Sequence, residues 1–350
     1  MQSFFPTKLS TPVHFLAGAA AVATVSWAGP TWAFSLGSAS DYNVFVLGDY
    51  DMQSTDIWGK LAVGGSFTAD TFGVGTQLRG DSHGTTLAVG GDVTLSNGKV
   101  YGDAVYGGNA DVADNVGFEF LDENNRIIRR ASLTQASSLD FGAIGTELKS
   151  IAQSVSQSAA GAIDGVMTEV YGDVSLVTLK GSDTERNIFN LTGDLFSSLR
   201  KLTFDVPDTA EIIVNVSGSS ANISDFDFYL GDESCGGGSN ARCLDRASNV
   251  LFNFADAELL DITRVGFIGS ILAPKADVDF NNGHINGTLV AGSLSGTGES
   301  HLVDRPDNPN NPGNPGNPDE PASVPEPTAL AGLALLGLSL RRLKRSTAAT

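Results

Sequence analysis

Short apolar runs recur along the chain, each closed by glycine or Asn-Gly, and this punctuation predicts many short strands joined by tight turns. Three related phrases stand early in the body: LAVGGSF from Leu61, LAVGGDV from Leu87 and AVYGGNA from Ala104, offset by 26 and then 17 residues. Repetition of this kind predicts a β-solenoid, in which each coil points a Val or Phe inward, turns on glycine and stacks on the next to bury a continuous apolar stripe. The unequal offsets make it an irregular one. An ordinary sandwich with Gly-Gly hairpins is the alternative that the same pattern allows.

One segment has a different period. From Ser137 to Ala160, Phe141, Ile144, Leu148, Ile151 and Val155 recur at spacings of 3, 4, 3 and 4, which lines one face of a helix that Ser138 or Asp140 would cap. A pattern lasting barely two heptads predicts a single amphipathic helix packed along the sheet rather than a coiled coil. Strand-like runs follow at Val170, Asn187, Lys201, Glu211, Asn249 and Val265, of which EIIVNVSG reads as an alternating strand. From Lys275 to His301 the phrasing of the first third resumes, with Val278, Phe280, Ile285 and Leu289 as inward-facing candidates.

The two ends follow other rules. Lys8 and the 14-residue apolar stretch from Phe15 to Ala28 read as a secretory signal over residues 1–33, too short to span a bilayer, with cleavage expected after Ala28 or Ala33. Residues 304–323 repeat Asn-Pro and hold no large apolar side chain, so they predict an extended linker. Residues 324–346 combine Pro325, Glu326 and Pro327, an uncharged stretch of 13 residues from Thr328 to Leu340, and the basic cluster Arg341, Arg342, Lys344 and Arg345. That stretch would make a helix of about 20 Å against a hydrocarbon layer of about 30 Å, and the basic flank would hold its far end at the cytoplasmic face.

Composition sharpens the picture. Glycine supplies 41 of 350 residues, which favours strands and turns, and 41% apolar residues suffice for a core. The net charge is −19; without Lys8 and the four basic residues of the tail, 16 basic side chains face 40 acidic ones, a net of −24. Such a body repels polyphosphate, which argues against nucleic-acid binding. The two cysteines, Cys235 and Cys243, share one glycine-rich loop, and an exported chain would join them as a disulfide.

Candidate chemistry is sparse. Asp225 with Asp227, and Asp277 with Asp279, are spaced by two, which would place each pair on one strand face as glycosidase or lyase carboxylates require. Solvated strands show the same spacing. His14, His83, His284 and His301 belong to no HExxH or GxSxG motif, and no phosphate loop or dinucleotide fingerprint occurs. Asp49, Asp51 and Asp56, and separately Asp256, Glu258 and Asp261, offer oxygen ligands without an EF-hand or a calcium nonapeptide, so no metal or cofactor is assigned. Thr68, Thr71, Thr85, Thr86 and Thr94 follow no constant period, which argues against a threonine array for ice.

Two resemblances complete the reading. The tail, from Pro325-Glu326-Pro327 to its basic end, resembles the PEP-CTERM sorting signal of Gram-negative bacteria, which implies recognition by an exosortase during a transient inner-membrane stay, then delivery to the cell surface or extracellular matrix. The body resembles the choice-of-anchor A family in DYNVFVLGDY at Asp41, LAVGG at Leu61 and Leu87, IIVNVSG at Ile212, NVLFNF at Asn249 and GSILAPKADVDFNNGHINGTLVAGSLSGTGESH at Gly269. That likeness implies an ice-binding-like adhesive domain over residues 34–303: mainly β, an irregular β-solenoid with one amphipathic helix alongside, without catalysis. The expected partner is an extracellular polysaccharide or other surface ligand. A carbohydrate-binding or carbohydrate-active protein acting on exopolysaccharide is the alternative.

Overall fold

The computed structural model describes residues 34–136, 139–158, 165–236 and 240–303. Residues 1–33, 304–323 and 324–346, expected as signal, linker and sorting tail, lie outside the described residues, and with them Pro325, Glu326, Pro327, Arg341, Arg342, Lys344 and Arg345. Among the described residues the body is mainly β, with a curled 21-stranded sheet, a second sheet of five strands and two α-helices, α1 (Phe141–Ser158) and α2 (Ala241–Ala247).

The repeated phrases explain how the larger sheet is built. Leu61, Ala62 and Val63 pair in parallel with Leu87, Ala88 and Val89, which pair with Ala104, Val105 and Tyr106. Homologous positions therefore stack directly, one rung on the next. The same ladder runs on from Val44–Val46 to Leu289–Gly296, Ser270–Asn281, Val250–Asn253, Glu211–Ser217 and Arg186–Thr192. The early rungs are thus seated on the last ones: Val44 lies opposite Leu289, and Asn43 Nδ2 donates to the Gly287 carbonyl oxygen at 2.8 Å.

Glycine recurs because the rungs approach too closely for a side chain. A Cβ added to Gly64, Gly90 or Gly107 would sit 2.2, 2.4 or 2.3 Å from the carbonyl oxygen of Leu47, Gly64 or Gly90. Asp49 and Asp92, just beyond their glycines, accept the Ser66 and Asn109 amides at 2.7 and 2.6 Å and close the turns.

Helix α1 lies along this ladder. It begins where Asp140 Oδ1 accepts the Ala143 amide at 2.9 Å, the capping arrangement that satisfies an amide without an intrahelical partner. Ser138, the other capping candidate, lies outside the described residues. Leu148 and Ala152, with the partly buried Phe141, Ile144 and Ile151, pack on the outward row Phe45, Ala62, Ala88, Leu272 and Val290. That cover explains why these strands are apolar on both faces. It also corrects the alternation read in EIIVNVSG, because Glu211 to Val216 are all buried: one face meets the core, and Ile213 with Ile188 meets Val155 of α1.

The second sheet pairs Gly165–Tyr171 with Val174–Lys180 in a hairpin, then runs parallel through Leu199–Asp205 and Asp227–Leu230 to a short antiparallel end at Glu233–Ser234. Its Phe204 and Phe228 join Phe226, in the link between the two sheets, and Phe252 and Phe267 of the larger sheet in one aromatic core. A further correction concerns the cysteine loop, which folds into α2 as a second helix. Asn240 caps it by accepting the Arg242 amide at 3.0 Å, and Cys243 is buried on its inner side.

Candidate functional site

A second parallel ladder carries the most regular exposed surface. Its inward row, Leu260, Val278, Leu294, Tyr50, Phe67 and Val93, is buried. Because strand side chains alternate, the next position points outward on every rung. The outward row reads Asn222, Asp261, Asp279, Ser295, Asp51, Thr68, Thr94 and Asp111, each exposed and each opposite the next. At about 4.8 Å per rung the eight positions span roughly 34 Å. Beside it run shorter rows, Ser224, Thr263 and Asn281 on one stretch and Gln53, Asp70 and Ser96 on another.

Local bonds hold Asp261, Asp277, Asp279 and Asp70 in place. Thr263 Oγ1 donates to Asp261 at 2.8 Å, Ser293 Oγ to Asp277 at 2.6 Å, Asn281 Nδ2 to Asp279 at 2.6 Å and Ser96 Oγ to Asp70 at 2.9 Å. A shallow depression of about 390 Å³ between Asp51, Ser66, Thr68, Ser293 and Ser295 lies on the same face. The arrangement is chemically a plane of hydroxyl, amide and carboxylate oxygens, suited to many weak hydrogen bonds with an extended hydroxylated or cation-coated surface.

The face ends at a corner built without glycine. Ser54, Thr71 and Asn97 fall level with one another on adjacent rungs with φ of 49°, 55° and 52°, and Asp225, Arg264 and Asn282 repeat the left-handed conformation further along at 57°, 53° and 50°. This conformation suits Asn and Asp but strains a β-branched residue such as Thr71. Side chains brace it: Asn97 Nδ2 donates to Thr71 Oγ1 at 2.9 Å, and Arg264 grips Asp225 with two bonds of 2.7 and 2.5 Å. The Arg264 guanidinium holds the Asp225 carboxyl below the usual range. Glycine, the usual signal for left-handed backbone, fills none of these positions, so in the sequence only the Asn-Gly pairs at Asn97 and Asn282 mark them.

Beyond the corner, Asp56 and Glu299 are neighbours on adjacent rungs, and burial, then the charge of Glu299, raise the Asp56 carboxyl, with His301 opposing. The His301 ring lies between those of Trp58 and His284, at 3.9 and 4.6 Å, and its Nε2 is 3.1 Å from Glu299.

The carboxylate pairs fare differently. Asp277 and Asp279 do share the outward side of one strand. Asp225 and Asp227 do not, which corrects the spacing argument: Asp225 sits in the left-handed corner, and Asp227 lies on the five-stranded sheet. Asp256 is drawn instead to Lys275 and to Gln153 of α1, both at 2.9 Å. Among the described residues no group of three or more His, Cys, Asp or Glu side chains is placed to hold a metal ion. Among the same residues no helix is long and apolar enough to cross a membrane.

Residues 35–302 match the model of the family described as "Putative Ice-binding-like adhesive domain". The chain belongs to that family. A search of curated proteins finds no match. Solved structures similar to this ice-binding-like adhesive domain include an ice-binding protein from an Antarctic biological consortium (13% identity, 79% of this chain and 92% of that one, TM-score 0.30). Two others are ice-binding proteins from the Antarctic ascomycete Antarctomyces psychrotrophicus (12%, 77% and 97%, 0.25) and from an Antarctic Flavobacteriaceae bacterium (11%, 74% and 76%, 0.26). Within the domain Cys235 and Cys243 form a disulfide with Cα atoms 5.6 Å apart, which ties α2 to the end of the five-stranded sheet.

Proposed function

We propose that this chain is an exported adhesive or structural protein of the cell surface or extracellular matrix, a choice-of-anchor A protein whose body is an irregular β-solenoid. The exposed row of eight oxygen-bearing side chains along the second ladder carries the proposal, because adhesion to an extended ligand needs a long, regular, solvated plane rather than a cleft. Successive parallel rungs on three ladders support the solenoid reading. Membership of an adhesive-domain family supports the role. Asp261, Asp277 and Asp279 on this face are engaged by neighbouring hydroxyls and amides, which suits a fixed binding plane.

The tail gives the address. Pro325, Glu326 and Pro327, the short apolar stretch and Arg341, Arg342, Lys344 and Arg345 constitute a PEP-CTERM signal read by an exosortase while the chain rests briefly in the inner membrane. Fractionation of cells with and without exosortase tests this: the full chain leaves the membrane fraction only when exosortase is active, and deletion of residues 325–350 releases soluble, unprocessed protein. A full-length chain that stays in the inner membrane with its tail intact despite active exosortase would overturn the address. A second reading, carbohydrate binding, is favoured by the stacked rings of Trp58, His301 and His284 beside Asp56 and Glu299, since sugars pack on ring faces and donate to carboxylates.

A further inference from the structure

The five-stranded sheet and α2 border a cavity of about 290 Å³ whose lining includes Phe204, Asp205, Asp208, Asp232, Arg242 and Arg246. Arg246 is the unusual member. Arg246 is only 4% exposed; Nη1 donates to the Asp208 carbonyl oxygen at 2.6 Å, while Nη2 is buried without an acceptor among the described residues. Burial pushes its pKa down to about 10, against the pull of Asp208 and with the help of Arg242. A dehydrated guanidinium without a carboxylate partner is costly, and an anion delivered into the cavity would relieve it.

The neighbouring charges narrow the choice of anion. The Asp208 carboxylate is taken by Arg242 at 2.7 Å, and Asp205 by Lys180 at 2.7 Å. Asp232 is the lining carboxylate that has no ion pair among the described residues. A phosphate dianion would bring two charges and mainly acceptors to a wall that already holds three carboxylates. A single carboxylate on a ring bearing hydroxyl donors answers both needs, and Phe204, Val206 and Leu230 offer apolar surface to the ring. The volume, at the small end of ligand pockets, suits one ring rather than a chain segment.

We propose that this cavity binds the carboxylate-bearing ring of an acidic sugar, its carboxylate on the Arg246 guanidinium and its hydroxyls donating to Asp232 and the adjoining carboxylates. The disulfide holds the site together, because Cys235, whose amide donates to the Phe228 carbonyl oxygen at 2.9 Å, is joined to Cys243 on the helix that carries Arg242 and Arg246. The site belongs to the five-stranded sheet and does not rest on the role of the outward row.

The full chain is titrated with galacturonate, galactose and inorganic phosphate while backbone amide shifts are followed. Galacturonate is expected to move Asp208, Gly231 and Asp232 saturably, with galactose at least tenfold weaker and phosphate not saturating. Arg246→Gln is expected to weaken galacturonate at least tenfold. Because Arg246 is buried, Val206→Trp, which fills the cavity from a half-buried position, provides the independent variant: it should abolish binding while the melting temperature holds. Equal affinity for galactose and galacturonate, saturable phosphate binding, or undiminished galacturonate binding in Val206→Trp would overturn the proposal.

Discussion

Replacing Gly90 with alanine tests the stacking directly. The new Cβ would stand 2.4 Å from the Gly64 carbonyl oxygen and 3.2 Å from Phe141 Cδ2 of α1, so it meets backbone on one side and the helix on the other. Neither yields cheaply: Gly64 and Gly90 both belong to rungs paired on two sides, and the Gly90 amide donates to the Val63 carbonyl oxygen at 2.7 Å. Overpacking of this kind costs about 1 to 3 kcal/mol, and the upper end is expected because the clashing atom is a carbonyl rather than a side-chain tip. At about 2 to 4 °C per kcal/mol that is a fall of about 6 to 12 °C in melting temperature. Gly142→Ala is the internal control: it lies exposed in the first turn of α1, its nearest contact would be Asp140 Oδ1 at 3.4 Å, and alanine should add about 0.5 kcal/mol. Thermal melting of the two variants should therefore move in opposite directions. A Gly90→Ala protein that melts with the parent would refute the close-approach account of the Gly-Gly phrases.

Asp140→Ala removes the cap of α1 and should cost about 1 kcal/mol in a denaturant titration, with Asp140→Asn retaining most of it. Cys235→Ser opens a short loop, so about 2 to 3 kcal/mol should be lost and one free thiol should titrate once the chain is unfolded in denaturant; two free thiols in the unaltered chain, unfolded without reductant, would reject the bridge. Burial, with Lys60 also contributing, lowers the His83 pKa despite its contact with the Tyr101 carbonyl oxygen at 3.3 Å, so the unfolded chain takes up this proton first as the pH falls. The stability owed to neutral His83 is thus present above its ordinary value of about 6.5 and is lost as the pH drops below it, and His83→Gln should flatten denaturant midpoints measured between pH 7.5 and 5.5.

The parts of the fold legible in the sequence were those whose physics is local. The phrases at Leu61, Leu87 and Ala104 announce themselves because each rung needs the same glycine against the same carbonyl. Phe141, Ile144, Leu148, Ile151 and Val155 show a helical face because α1 has one covered side. The strand Glu211–Ser217 misled, since a cover contributed from residues 141–158 helps to bury both its faces, the polar Glu211 and Asn215 included, and no window around Glu211 contains that information. Asp225 and Asp227 part because Asp225 is itself left-handed, which composition does not betray. The outward row was invisible for a related reason: its members come from rungs that are distant in sequence, and Ser295 meets Asp51 only because the last rungs dock on the first. Arg246 gave no signal at all, because its isolation depends on which acids its neighbours have already engaged.

Binding spread along the outward row, as proposed, is measured most directly by retention of the chain on extracellular matrix. Alanine is introduced at Asp51, Asp261, Asp279 and Asp111, first singly and then together, with melting temperature recorded for every variant. Each position is exposed and contributes little alone, so single changes should leave retention within a few-fold of the parent, while the fourfold variant should lose it by far more than any single change and keep its melting temperature. Undiminished retention by the fourfold variant would contradict the account, and so would a single carboxylate change that removed a thousandfold of activity on a defined polysaccharide.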